Sequence, residues 1–558
     1  MANYFVRNSL GNGSEDGSQL TPFKTLEALH TALGGVLTGH NIYIYSEDTF
    51  DERVNQTSLV FTGHDFTIQP YRSINSYSSR PVVTRAKRNL TWSLLSGGVY
   101  ISNEALGYDA AESTYNGCIT ENGIPMTFVE AVTDRATTVA LLSAGKFSYD
   151  PVTGHYLIYP TTGTPSDNVY VAVAGVYSIF RFSDSYNFTI SEINQEYAGG
   201  TSLNSNGHPL LGGWAVQDCI ARFMGGNKST QSFSTGFYSG DGISVTGNVA
   251  TYGESFIRRC EITDIFDTAS APQTWLEATN IESIRLENNI VSRCGLYGLS
   301  FANVGSSGTQ NVGIVKNCII YDNDISDIGY GWSGNRGGHG LIILSNNSNV
   351  GGRVQDTVAL KNRITNCVGS GLILYQTNGV GVSAERNYIT NCAKGIVNNS
   401  RTGFVATQDK TAKFNYIENC ATGIELGASN SGLAGSNQLA ISNTIVNCTT
   451  GISDISKAGD TVTAKNNLII GATTGIRSDG VGTFTKQTNN LSNCTTNYSG
   501  TTQQTDTLTT VTLDADYVPS TLLTGTAQQP DVDYNGNYAN SIVGATNKAN
   551  QHIVGYFI

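Results

Sequence analysis

An all-β chain wound into a parallel β-helix is predicted by three features of this sequence. A short phrase repeats, the apolar residues within it come in runs too short for helices, and Gly is abundant at 62 residues while only 14% are charged. The phrase fills residues 362–476. Asn362-Arg-Ile-Thr-Asn-Cys367 with Gly371-Leu-Ile-Leu is followed by Asn387-Tyr-Ile-Thr-Asn-Cys392 with Gly395-Ile, then by Asn415-Tyr-Ile-Glu-Asn-Cys420 with Gly423-Ile-Glu-Leu. Asn443-Thr-Ile-Val-Asn-Cys448 with Gly451-Ile comes next, and Asn467-Leu-Ile-Ile-Gly471 with Gly475-Ile closes the run. The steps from Cys367 through Cys392, Cys420 and Cys448 to Gly471 are 25, 28, 28 and 23 residues, the length of one solenoid turn. Apolar runs bounded by Asn and Gly read as short strands and turns. Strands laid over their counterparts one coil on, about 4.8 Å away, build a parallel β-helix.

Taken in order, Tyr4-Phe-Val6 is a short strand and residues 8–19 a Gly/Asp/Ser loop. Thr21-Pro22 predicts a helix start, with Phe23, Leu26, Leu29 and Leu33 on one face. Such a helix would cover the open end of the solenoid, whose bare strand edges invite aggregation. Asn41–Tyr45 and Phe66–Gln69 are the first coil strands. Residues 1–89 are thus a cap with the first coils. Residues 90–175 break the rhythm: Tyr149–Gly154 leading into His155–Tyr159, and later Val169–Val173, predict a small β insert built on a hairpin, expected to be a spacer. Regular coils fill 176–500, and 501–558 form a C-terminal cap. At 558 residues one long domain is expected, because a solenoid core grows lengthwise.

The phrase also places the cysteines. Cys294, Cys367, Cys392, Cys420, Cys448 and Cys494 share one position and should stack as a column, while Cys219, Cys260 and Cys318 share another nearer a strand start. Small buried thiols pack as hydrophobes, so they are expected to be free. Asn387, Asn415, Asn443 and Asn467 should stack likewise, their amides bonding from coil to coil.

A net charge of -12 and a pI near 5.1 argue against nucleic acid and against an anionic membrane as partner. No run approaches 18 apolar residues, and the N-terminus lacks the basic region and apolar run of a signal peptide.

Candidate chemistry gathers in the central coils. The residue before each Gly-Ile or Gly-Leu is Asp241, Tyr297, His339, Ser370, Lys394, Thr422, Thr450 and Thr474, with Asp267 joining the row if Thr268 stands in for Gly. Two carboxylates one coil apart would lie about 5 Å from each other, the spacing of a retaining glycosidase pair, and crowding would hold one protonated. Asp241 and Asp267 are therefore the expected acid and nucleophile or base, with Asp264, Glu254, Glu277 and Glu282 as substitutes. His339 and Tyr297 complete the catalytic set. Arg259, Arg336, Trp275, Tyr330 and Trp332 are candidate substrate-binding residues, aromatic faces being suited to sugar rings. No cofactor is expected, although Asp322, Asp324 and Asp327 offer oxygen ligands of the kind calcium takes.

Phe5-Val-Arg-Asn with Gly11-Asn-Gly, Asp16-Gly and Thr21-Pro-Phe-Lys-Thr25 resembles the opening of right-handed parallel β-helix proteins of the pectate-lyase-like superfamily. Gly338-His339-Gly340 is similar to an element of polygalacturonases within it. The resemblance implies a right-handed solenoid and carbohydrate-active work. Beside the unprocessed N-terminus it looks like a bacteriophage tailspike depolymerase, which implies hydrolysis of a bacterial surface polysaccharide, a homotrimer, other phage tail proteins as partners and a place in the virion. A polysaccharide lyase using Tyr297, His339, Arg336 and Lys394 is the alternative, and a glycan-binding adhesin a third.

Overall fold

The computed structural model describes residues 2–508 except 11–14, 52–59, 73–78, 106–114, 132–133, 151, 166, 173–177, 200, 206–208, 230–236, 275–279, 304–312, 335–336, 346–352, 376–380, 401–407, 429–435, 488 and 501–506. The chain is a right-handed parallel β-helix with minor helical capping. It divides into two compact units, one of residues 1–272, 289–297 and 329–337 and the other of 273–288, 298–328 and 338–558.

The second unit carries the repeat in its purest form. Each coil lays down three strands, as in Val382–Glu385, Tyr388–Thr390 and Lys394–Ser400, and the next coil repeats them as Gln408–Lys413, Tyr416–Glu418 and Thr422–Ala428. Pairing is parallel and in register: Ile364, Ile389, Ile417, Ile445, Ile469 and Leu491 form one inward column with at most 2% exposure. Before that strand stands the Asn column. Asn415 Nδ2 donates to Ala384 O and to Asn443 Oδ1 (both 2.9 Å), while its own Oδ1 accepts from Asn387 N and Nδ2 (2.9 and 3.0 Å). The same bonds link Asn323, Asn362, Asn387, Asn415, Asn443, Asn467 and Asn489. After the strand the chain turns through a left-handed residue, and Asn, which adopts that conformation most cheaply after Gly, fills the corner at Asn366, Asn391, Asn419, Asn447 and Asn493.

All ten cysteines are free, and nine are buried. One expected column needs correction. Cys219 and Cys260 open strands of the stack that runs Asn194–Glu196, Ile220–Met224, Glu261–Ile265, and so hold the place the Asn column takes elsewhere, Cys260 N donating to Asn289 Oδ1 (3.0 Å). Cys318 instead opens Ile319–Tyr321, which pairs with Ile284–Glu287 and Val358–Leu360 in a different stack. A similar distance from the strand start does not fix which face of the coil that strand belongs to.

In the first unit the capping helix spans Leu26–Leu33, four residues later than Thr21 suggests: Thr25 is the N-cap, its hydroxyl accepting from Ala28 N. Phe23 is drawn into the sheet by bonds with Phe5 and Arg7, which leaves Thr21 to bind Asp16 and Ser18. Leu26 and Leu29 are buried beneath the helix. Phe61, Phe66, Phe182, Phe188 and Trp214 fill the first coils, Phe66 and Phe188 stacking at 4.9 Å.

Among the described residues between 86 and 172, nine strands form two small sheets. One has the strands Trp92–Ser96, Val99–Ala105, His155–Tyr159, Lys146–Tyr149 and Thr127–Phe128; the other has Ala86–Lys87, Val169–Ala172, Ile119–Glu121 and Ile124–Pro125. Their apolar sides pack on the coils in a single cluster with Tyr197, Phe223, Phe266 and Trp332. The expected C-terminal cap lies outside the described residues apart from the strand Thr507–Leu508. Among the described residues no helix is long and apolar enough to cross a membrane.

Candidate functional site

Three successive coils of the first unit bring the candidate residues together. Asp241 precedes the strand Ile243–Thr246; Asp264 and Asp267 flank the corner between Glu261–Ile265 and Thr268–Thr274; Arg293 and Tyr297 follow Ile290–Ser292. The register differs from expectation by one residue. Asp267 N donates to Gly240 O (3.1 Å) and Gly242 N to Thr268 O (2.8 Å), so Thr268, not Asp267, lies beside Asp241. The slot after Asp241 takes Gly because a Cβ there would come within 2.4 Å of the Ala269 carbonyl, and in the next coil its occupant is Ala269. Leu296 N in turn donates to Asp267 O (2.9 Å), which sets Tyr297 after it, partly exposed.

The two aspartates remain electrostatic neighbours. Asp241 is 7% exposed and Asp267 5%. Burial, reinforced by the charge of Asp267, pushes the Asp241 carboxyl well above the usual range, against the opposing hydrogen bonds of Ser244 and the Thr268 N–H. Two buried carboxyls on adjoining coils, one of them with its proton held more tightly by burial and by the charge of the other, are the kind of pair from which a general acid and its partner can be drawn.

Asp264 is spoken for. Arg293, one coil on in register, grips it with Nε and an Nη at 2.8 and 2.7 Å. Both of its oxygens are thus engaged in an ion pair, whereas Asp241 and Asp267 are paired with each other. Sequence reasoning missed Arg293; the signal was its 29-residue separation from Asp264, one coil. The same acid-then-Arg step recurs at Glu196 with Arg222 (2.6 Å) and at Asp218 with Arg259, whose guanidinium donates twice at 2.8 Å. Arg259 is therefore committed to a carboxylate of its own.

Trp332 is 4% exposed, its ring lodged near Phe147 and Phe266 and its Nε1 donating to Asp264 O (2.9 Å). A ring buried in this way anchors its loop and has no face for a sugar. Tyr330, two residues earlier, is 58% exposed. Trp275, Arg336 and Glu277 lie outside the described residues.

His339 belongs to the second unit. Its Nδ1 accepts from Ser370 N (2.8 Å), which leaves the proton on Nε2, and burial together with Lys394 lowers its pKa to about 4. A neutral ring with its acceptor nitrogen already engaged is a donor and a poor base. Lys394 is held by both oxygens of Glu425 (2.7 and 2.6 Å). Of the suggested calcium ligands, Asp324 pairs with Arg363 at 3.2 Å and Asp327 accepts from Asn366. Among the described residues no three His, Cys, Asp or Glu side chains converge as a metal site.

No family model and no curated protein matches the chain. Among solved structures it is similar to XylC in complex with xylose, at a TM-score of 0.54 and 13% identity, over 97% of this chain and 98% of that one. The fold is therefore one found in full in a known structure. A glycoside hydrolase (TM-score 0.45, 10% identity, 88% and 96% covered) and a PL6 alginate lyase bound to a trisaccharide (TM-score 0.42, 10% identity, 98% and 94% covered) also align.

Proposed function

We propose that this protein is a glycoside hydrolase that cuts a bacterial surface polysaccharide, capsule or O-antigen, with Asp241 as general acid and Asp267 as nucleophile or base. The observation that carries the reading is the pairing of two buried carboxyls, Asp241 and Asp267, on adjoining coils, close enough for the charge of Asp267 to raise the Asp241 pKa. Two neighbouring carboxyls, one of which holds its proton more tightly because of the other, are the groups that glycosidic acid–base work uses. The fold likeness to a structure solved with xylose supports a sugar as the ligand. The finer reading is a tailspike-like homotrimer carried on a virion, which rests on the family resemblance of the N-terminal motifs.

The test is incubation of wild type, Asp241→Asn and Asp267→Asn with capsular and lipopolysaccharide glycans from a bacterial panel, followed by mass spectrometry. Saturated oligosaccharides from wild type alone are expected. Products lighter by one water per cleavage, from all three proteins, would make this a lyase and move the site elsewhere. Binding without new reducing ends would make it an adhesin. Native mass of the intact protein tests the trimer.

A further inference from the structure

The small β insert is expected from sequence to be a spacer, yet it reaches the acid pair through a continuous set of contacts. Phe128 N, on the insert, donates to Trp332 O (2.8 Å). The Trp332 ring lies 5.9 Å from that of Phe147, also on the insert, and 5.6 Å from that of Phe266, the residue immediately before Asp267. Its indole N–H closes on the backbone carbonyl of Asp264, three residues before Asp267. The loop that carries Trp332 is itself pressed on the following coil: Gly329 N donates to Cys294 O (2.8 Å), and a Cβ at Gly331 would lie 2.2 Å from Arg293 O. On the far side of the same cluster Tyr197, another left-handed corner residue, shares a 2.7 Å hydrogen bond with Thr120 of the insert.

We infer that Trp332, backed by Phe128 and Phe147 of the insert, is a positioning residue that fixes the Asp264-to-Asp267 corner and so keeps Asp267 in place beside the buried Asp241. This rests on the acid-pair reading above. Asp264 has a left-handed backbone (φ 58°), and its peptide is clamped on both sides, by the Arg293 guanidinium on its side chain and by the indole on its carbonyl. A corner held in this way cannot relax toward solvent. Without the indole bond the Asp264 carbonyl is left buried and unsatisfied, which favours entry of water beside Phe266. Water there lowers the local cost of charging Asp241 and lets Asp267 drift.

The experiment reads Asp241 without requiring turnover. A carboxyl whose folded pKa is raised binds its proton more tightly in the native state, so its contribution is full below the unfolded value near 4 and is lost as pH rises toward the folded value. Asp241→Asn removes that loss, so the Tm gap between Asp241→Asn and wild type should widen as pH rises above about 4. In a Trp332→Phe background the same gap should stay nearly flat. In a Trp214→Phe background, which removes another buried indole bond of this unit (to Asn248 Oδ1, 2.8 Å), it should widen as in wild type. Phe147→Leu acts from the insert side, should flatten the gap in part, and serves if Trp332→Phe does not fold. A gap that widens equally in the Trp332→Phe and Phe147→Leu backgrounds would overturn the positioning role while leaving the acid pair standing. A flat gap in otherwise wild-type protein would sink the acid assignment and the brace with it. On a glycan that wild type cleaves, Trp332→Phe should lower kcat by about tenfold or more at unchanged KM, since small displacements of catalytic groups act on the chemical step.

Discussion

The corner that follows the Asn column is built twice, in different materials. In the second unit it is filled by Asp327, Asn366, Asn391, Asn419, Asn447, Gly471 and Asn493, residues that accept a left-handed backbone at little cost. In the first unit the equivalent positions are Tyr197, Phe223, Asp264 and Arg293, all with φ between 54° and 60°. The bulky Tyr197, Phe223 and Arg293 pay on the order of 1 kcal/mol each in that conformation, and they keep it because the insert packs on Tyr197 and Phe223 and because Arg293 is held by Asp264. The lesson is that the repeat is obeyed where the coil has only to propagate and broken where it has something else to hold. Departures from the repeat mark the candidate site better than any single motif does.

The comparison can be broken most decisively by activity. Asp241→Asn should reduce glycan cleavage by about a hundredfold or more, whereas Thr450→Ala at the matching position of a later coil should leave it unchanged. Equal losses would mean that the first unit is not special. A stability measurement probes the repeating half. Asn415→Ala strands the buried Ala384 carbonyl and the Asn387 N–H, and should cost about 3 kcal/mol in denaturant unfolding, with glycan cleavage preserved. The corners themselves give a smaller contrast: Phe223→Asn loses a buried ring but gains a willing backbone, for a net cost of about 2 kcal/mol, while Asn391→Leu should cost about 1–2 kcal/mol from backbone strain alone. His339 gives a pH signature in the second unit. Its folded pKa of about 4 lies below the ordinary 6.5, so its contribution is complete above the ordinary value and is lost as pH falls toward 4. The Tm of wild type should therefore drop faster than that of His339→Gln between pH 7 and pH 4.5. The smallest effect is expected from a reducing agent: with every cysteine free, dithiothreitol should not shift Tm at all.

Most of the architecture was legible because it is written as local period. Asn and Gly at fixed intervals announce the corners, and the single Ile between them announces the inward column. Asp241 and Asp267 were also legible as a pair. Their offset was not, since Thr268 and Ala269 are both small enough to stand for the missing Gly, and only the close approach of the next backbone chooses Ala269. The docking of the insert was illegible for a different reason. Phe128, Phe147 and Trp332 meet across gaps of some two hundred residues, and no spacing within the repeat encodes that meeting. Trp332 read as a sugar platform, and only its burial in the fold makes it an anchor instead.

The Asn column has a consequence for how such a chain can change length. Each Asn offers the coil after it the same face that it receives from the coil before, so Asn387, Asn415 and Asn443 are interchangeable parts. Excising residues 388–415 would bring Asn387 directly under Asn443, with Tyr388 giving way to Tyr416 and Ile389 to Ile417. A gene that duplicates or drops one such segment yields a longer or shorter stack of coils within the second unit, whose joints already fit. In the first unit the coils are less alike: removing the coil that carries Asp264 would leave Arg293 without its carboxylate.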